Sequence, residues 1–424
     1  MSDQSSESYE GYIRRYRTRN FLSNAFVLSF YNLAISFVFP ATIMTLYASH
    51  LTDSAALIGT IPALFAVGMS LPQLLYANVA ERLKLKRPLI LKLAVMERIP
   101  YLFIGLSILL LPDAPPALSF AILLGGLAVA SVGGGMLQPV WKAMLTKLIE
   151  PQRRGLLFGL GFGAGGVLGT LGALASRGII AAVESTSAFG VLFLLSFAAH
   201  SVSIVLLAAN KEPARETHSG HRRTIDYLRE LPVIMGRDRN FRWYIISQIT
   251  MGLSLMGVSF YVLYARSAFG VSEAFVANLT MAALVGAAIG VPVLGLVSDR
   301  WGNKVTGMVS LALLGAAAIV LVAAPGPLWL LLVFASMHLG QNAGSISRIA
   351  ITMEFSTAEK VPTYTGLSGT LVAPALFVAP IAGGWVIDAF GYHVLFVVIL
   401  ALTAVSAALM GFMVREPRRT EPVF

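Results

Sequence analysis

The sequence predicts an all-α membrane protein whose twelve transmembrane helices form two pseudo-symmetric six-helix bundles. Three observations lead there. The chain has 424 residues, 56% hydrophobic and only 12% charged, with mean hydropathy +0.76, whereas a soluble domain carries about 25% charged residues. Charge-free runs such as Ala274 to Ser298, Val361 to Ile387 and Ala389 to Val414 each exceed the roughly 20 apolar residues that cross a hydrocarbon core. A ten-residue pattern occurs twice: ANVAERLKLK from Ala77 to Lys86, and GLVSDRWGNK from Gly295 to Lys304, 218 positions later. Both copies place an acid-Arg pair where an apolar run ends.

Each element follows from an apolar run and the breakers around it. A polar tail, residues 1–20, carries Arg14, Arg15, Arg17 and Arg19. Span 1 (21–47) is too long an apolar stretch for a cleaved signal peptide and is expected to be retained. Spans 2 (55–80) and 3 (88–111) flank the first copy of the pattern. Pro112, Pro115 and Pro116 separate span 3 from span 4 (117–140). Spans 5 (155–176) and 6 (187–209) complete an N-terminal bundle, 21–209. A basic linker, 210–242, follows, with a short surface helix expected near Ile225 to Ile234. Spans 7 (243–265) and 8 (274–298) precede the second copy. Span 9 (305–323) ends before Pro325-Gly326-Pro327. Spans 10 (328–347), 11 (363–387) and 12 (393–414) complete a C-terminal bundle, 243–414, and 415–424 form a tail. The alternating ten-residue segments of a membrane β-barrel are absent. The sequon Asn278-Leu279-Thr280 lies inside an apolar run and is read as chance.

Positive charge sets the expected orientation. With both termini in the cytoplasm, 28 of the 31 Lys and Arg fall on inner segments, leaving only Arg98 within a span and Arg177 and Arg266 outside. That asymmetry satisfies the positive-inside rule for a multi-pass plasma (bacterial inner) membrane protein. It also turns the net charge of +10 toward anionic lipid headgroups rather than nucleic acid. Cysteine is absent, which excludes disulfides and thiolate metal sites. No phosphate-binding Walker loop and no cluster with metal-ligand spacing is present, so neither ATP hydrolysis, a cofactor nor a metal is expected.

The halves correspond beyond the ten-residue pattern. Lys211-Glu212-Pro213 follows span 6, and Arg415-Glu416-Pro417 follows span 12, 204 positions later. Val191-Leu192-Phe193 and Val394-Leu395-Phe396 open those spans. The chain is thereby similar to the major facilitator superfamily over essentially its whole length. Gly295, Asp299, Arg300, Gly302 and Lys304 match the signature of that family between spans 8 and 9. The first copy departs from it at Ala77, Glu81 and Lys84. Pro151-Gln152-Arg153-Arg154-Gly155 resembles the start of the family's span 5. The resemblance implies two bundles that rock about a central cavity lined by spans 1, 4, 7 and 10, and it implies no enzyme. An acid on the turn can sit near a helix N-terminus, and its Arg can bond an acid or a carbonyl across the bundle interface. Glu81, Arg82, Asp299 and Arg300 are therefore assigned to a conformational latch, the alternative being ordinary surface charges.

Polar residues inside spans are costly and mark candidate sites. Ser29, Asn32 and Ser36 in span 1 share one face, and Ser247, Thr250 and Ser254 repeat that spacing in span 7. Each hydroxyl can instead bond its own helix backbone. His338, Gln341, Asn342 and Ser345 form one stripe of span 10. With aromatic Phe30, Tyr31, Phe37, Phe260 and Tyr261, these residues predict a cavity for an amphipathic or polar neutral solute. The expected solute-binding set is Tyr31, Asn32, Ser36, Thr250, Ser254, His338, Gln341 and Asn342. Glu97, the acid deep in span 3, is a candidate to take up and release a proton, with Arg98 next to it in the sequence and His200 of span 6 and His338 as candidate partners or carriers. Adjacent helical residues point apart, so Glu97 and Arg98 are each expected to find a separate partner. A static ion pair is the alternative. Span 5 carries Gly161, Gly165, Gly166, Gly169 and Gly172. That run resembles the family's antiporter motif but lacks its Pro, and it also suits a sliding helix interface. The reading is a monomeric secondary transporter of a small organic solute, coupled to protons or another ion, with export expected. Proton-coupled uptake of a sugar-like metabolite and a non-transporting receptor or scaffold are the alternatives.

Overall fold

The computed structural model describes residues 9–183, 185–214, 234–355 and 361–417. The helix expected near Ile225 to Ile234 lies almost wholly outside them. In the N-terminal half, α1 runs Tyr9–Phe37 and continues through the turns Pro40–Met44 and Thr45–Ala48. It is followed by α2 (Ala55–Arg82), α3 (Arg87–Leu110), α4 (Pro116–Leu148), α5 (Pro151–Ala182) and α6 (Ser187–Ala209). In the C-terminal half, α7 comprises Arg239–Ser254, a tighter stretch Leu255–Phe260 and Tyr261–Phe269. Then come α8 (Glu273–Trp301), α9 (Asn303–Ala323) and α10 (Trp329–Glu354). The helix Val361–Ala408 is broken at Gly391 (φ 81°, ψ 175°), so we divide it into α11 (361–390) and α12 (392–408).

Ten stretches among the described residues are long and apolar enough to cross a membrane. The count reconciles with twelve helices on two grounds. One stretch, Leu367–Met413, spans both α11 and α12. α10 is not among the ten, and its His, Gln and Asn residues supply the reason. Most helices extend beyond the expected spans at the face that carries both chain ends, because polar sequence continues the helix once outside hydrocarbon. We call this the tail face and the opposite one the far face. Span 1 is interrupted where Pro40 removes a backbone N–H.

Packing repeats within the halves. α1 packs on α5 and α6, α3 on α4 and α6, and α2 on α4. α9 packs on α10 and α12, and α8 on α10. The halves meet along α5 with α8 and along α2 with α11. Glycines set the closeness of these contacts. A Cβ on Gly59 would strike the Pro380 carbonyl, and one on Gly384 would strike the Ala55 backbone.

The sequence repeat has a structural meaning. The Glu212 carboxylate accepts from the Lys86 and Arg87 amides at 2.8–3.0 Å. It also takes Lys147 Nζ at 3.0 Å. Glu416 accepts from the Lys304 amide at 3.1 Å. Each acid, from equivalent positions after the last helix of its half, caps the N-terminus of that half's third helix. There it offsets orphan N–H groups and the positive end of the helix dipole. Gly302, at φ 98°, turns the chain from α8 into α9 beside that carboxylate.

Candidate functional site

The far face is closed by polar contacts between the halves. Ser54 caps α2, accepting from the Leu57 amide. Asp388, at the far end of α11, completes that cap by accepting from the Ala55 and Ala56 amides at 3.0 and 3.1 Å and from Ser54 Oγ at 3.2 Å. A carboxylate at a helix N-terminus is stabilised by the dipole and the free N–H groups together. Nearby, Arg266 donates to Ser49 Oγ at 3.1 Å. His50 Nε2 lies 2.8 Å from Glu273, which Arg266 also approaches at 3.4 Å. Thr42 and Thr280 share a hydrogen bond deeper in. The hydrogen bonds and ion pairs that join α1–α6 to α7–α12 among the described residues all lie at or toward this face.

Below this seal the two halves also meet through aromatic rings. The ring of Phe39 in α1 meets the ring of His338 in α10 edge-on at 5.3 Å. That contact fixes the polar stripe of α10 toward the N-terminal half. Gln341 and Asn342 are half-buried, and Ser345, one turn nearer the tail face, is exposed. The exposed Leu332 of the same helix lies on the opposite side, toward lipid. The stripe therefore faces the N-terminal half and becomes more exposed toward the tail face. Asn342 Nδ2 donates to the His338 carbonyl at 2.8 Å.

The remaining polar residues of spans 1 and 7 are turned elsewhere. Asn32 donates to the Leu28 carbonyl and packs against Gly165. Ser36 is buried against Gly172 with its hydroxyl on the Leu33 carbonyl. Ser29 bonds the Ala25 and Gly161 carbonyls. The glycines of α5 thus form a track for α1, while Gly166 and Gly169 approach Ala288 and Leu284 of α8. Thr250 and Ser254 bond carbonyls of their own helix, and Ser247 bonds Ser406. Phe37, Phe260 and Tyr261 belong to the apolar core. They are buried rather than lining, because the closed far face presses α1, α2 and α7 together.

A second polar cluster is buried inside the N-terminal half. Contrary to expectation, Glu97 and Arg98 pair with each other, Oε2 to NH1 at 3.1 Å. The long Arg98 side chain reaches around its helix, donating also to the Ala94 carbonyl and to Ser203 Oγ. Tyr31, expected in the cavity, instead lies beside the Glu97 carboxylate and sets its ring 5.2 Å from that of His200. Tyr101 covers the other side of His200 at 5.1 Å. His200 is fully buried, and neither ring nitrogen has a hydrogen-bond partner. Gly133 and Gly134 of α4 leave the space that Glu97 fills. The expected coupling trio is therefore gathered in one place, and Tyr31 joins it.

Of the residues assigned to a latch, the side chains of Glu81, Arg82 and Asp299 lie outside the described ones. Arg300 is exposed, its guanidinium 5.5 Å from the Trp301 ring centroid. Two charged residues went unnoticed as site candidates. Arg348 continues the α10 stripe ten residues after His338, and Lys142 is exposed on α4. Both counted as topology charges in the sequence, yet the period that ties Arg348 to Gln341 and Ser345 was there to find.

The family model described as Major Facilitator Superfamily matches residues 23–267 and again 244–424. The nucleoside transporter NupG superposes with TM-score 0.71 at 11% identity, covering 93% of this chain and 100% of that one. A D-xylose-proton symporter gives 0.71 at 15% identity, with 95% and 99% coverage. A bacterial homolog of the human lysosomal transporter Spinster, inward-facing and occupied, gives 0.65 at 16%, with 96% and 99%. At these identities the likeness is one of fold. No curated protein matches the chain by sequence.

Proposed function

The chain belongs to the Major Facilitator Superfamily, and from that premise we propose a secondary active transporter of a small organic solute, working by alternating access and coupled to protons. It is a multi-pass membrane protein with the fold of transporters. In our reading the tail face is cytoplasmic in a bacterial plasma membrane, the protein acts as a monomer, and transport runs outward.

One observation carries the reading. The polar α10 stripe faces the other half and gains exposure toward the tail face, while the far face is closed by Asp388 on α2 and, below it, by Phe39 against His338. A seal built from side chains at helix ends can open without unfolding either half. The Glu97–Arg98–Tyr31 cluster supports proton coupling, since an ionisable group held inside a membrane bundle beside a cavity helix is placed to exchange protons. Ser and Thr hydroxyls bonded to their own helices leave His338, Gln341 and Asn342 as the favoured solute contacts.

The test uses purified protein in sealed liposomes under an imposed proton gradient, with a panel of labelled organic solutes. Solute movement against its own gradient, reversed when the proton gradient is reversed, is the expected result. Binding with no flux across the whole panel would leave a receptor in place of a transporter.

A further inference from the structure

Two cations stand at matching places in the two halves. Lys142 lies six residues before Leu148, the last residue of α4, and Arg348 six residues before Glu354, the last of α10. α4 and α10 are the fourth helices of their halves. At 1.5 Å per residue, each cation is roughly 9 Å inside its helix end on the tail side. Neither side chain has a hydrogen bond or ion pair among the described residues, unlike Lys147, which Glu212 holds, and Arg153, beside Glu150.

Their placement points to the space between the halves. Arg348 shares the face of Gln341 and Ser345, which the Phe39–His338 contact turns toward the other half. Beside Arg348, Tyr244 is fully buried, and its hydroxyl has no partner. On α4, Lys142 stands at the position that Arg348 holds on α10, so the correspondence of the two halves turns it toward the same space between them, while α2 and α3 cover other sides of α4.

We propose that Lys142 and Arg348 form an anion-binding site at the tail-side mouth of a cleft between the halves, and that the solute carries a carboxylate or phosphate group. This departs from the neutral solute suggested by the sequence, and it rests on the alternating-access reading. Two unpaired cations in a concave, partly dry space focus positive potential. Arg348 offers a planar fork suited to a two-oxygen anion, and Lys142 a point charge opposite it. Because the site opens to the tail face in this closed-far-face state, it takes its anion from that side.

The natural chain contains no cysteine, so Lys142→Cys creates a single reactive thiol. The probes are two methanethiosulfonates of similar size, one bearing a sulfonate and one a trimethylammonium group. Rates are referred to those at Thr186→Cys on the exposed far face. With Arg348 in place, the sulfonate reagent should be favoured about tenfold, within the range for a focusing cleft. Adding Arg348→Gln should abolish the preference, and millimolar inorganic phosphate should slow the sulfonate reagent. Equal relative rates in Lys142→Cys, or a preference untouched by Arg348→Gln, would overturn the proposal.

A flux arm separates this from the transport reading. Liposomes of phosphatidylcholine alone exclude an anionic lipid as the source of the effect. Preferential uptake of sugar phosphates over the matching sugars, lost in Arg348→Gln, is the expected result. Transport of a neutral sugar unaffected by Arg348→Gln would sink the anion site and leave the transporter standing. A charge preference in labelling without any flux would sink the transporter and leave the site.

Discussion

At the scale of the residue, the pairing of Glu97 with Arg98 decides most. Neighbours in a helix diverge at Cβ, yet an arginine is long enough to return, and here it does so while bonding Ala94 and Ser203. Both side chains are buried. Removing one member leaves the other charge unpaired, at about 3–5 kcal/mol for a buried pair. Arg98→Leu should therefore lower the melting temperature of the purified protein sharply, and Glu97→Gln with Arg98→Leu should recover part of the loss. An Arg98→Leu protein as stable as the parent would show that the pair is not closed in the folded chain. Glu97→Gln keeps the shape and a carbonyl acceptor for Arg98, so it costs less stability than Arg98→Leu, and it removes the titratable group. It should abolish the proton-gradient dependence of flux while leaving downhill exchange intact, as measured in the same liposomes. Persistent proton dependence in that variant would return Glu97 to a structural role. The sequence showed that Glu97, Arg98 and His200 were misplaced charges in an apolar span. It did not show that Tyr31 faces them, because that depends on the rotation of α1 about its axis, which the glycines of α5 set through Leu28, Asn32 and Ser36.

At the scale of the element, helix ends carry the design. Glu212 and Glu416 cap equivalent helices, and both were visible as a repeat before their purpose was. Asp388 was not legible in that way. Among the described residues it has no hydrogen bond or ion pair within its own half, and its bonds reach to Ala55 and Ala56, more than 330 positions away in sequence. No local period reports such a contact. Asp388→Ala removes a charged acceptor from two amides. Hydrogen bonds to charged groups are worth about 1.5–3 kcal/mol, so losing roughly 2 kcal/mol of closure shifts the balance toward a far-open state by about 30-fold. The measurement is labelling of Ser49→Cys by an impermeant reagent added at the far face, and the Asp388→Ala background should accelerate it. An unchanged labelling rate would mean that the aromatic and threonine contacts hold the face without Asp388. The spans themselves were readable because each needs only its own composition. Their ends were less so, since a helix that leaves hydrocarbon keeps its hydrogen bonds, and α4 and α10 each run past the expected edge.

At the scale of the whole molecule, two rigid halves share two contact lines, and glycine decides how near they come. Gly384 of α11 lies against the backbone of Ala55 and Ala56 in α2, where no rotamer change can make room. An added methyl there must push the halves apart at the far face. Gly105 and Gly190 are also closely placed, though less tightly, against each other's helices within the N-terminal half, so a methyl there strains one bundle and leaves the relation between bundles alone. The two sites therefore separate stability from conformational state. Gly384→Ala should shift labelling of Ser345→Cys toward reagent added at the far face, with a small change in melting temperature. Gly105→Ala should lower the melting temperature by the cost of overpacking, about 1–3 kcal/mol, while Ser345→Cys stays open to the tail face. If Gly384→Ala kept the parent's sidedness, the α2–α11 line would not be the one that parts, and the motion would have to run along α5 and α8, where Gly169 faces the flexible side chain of Leu284.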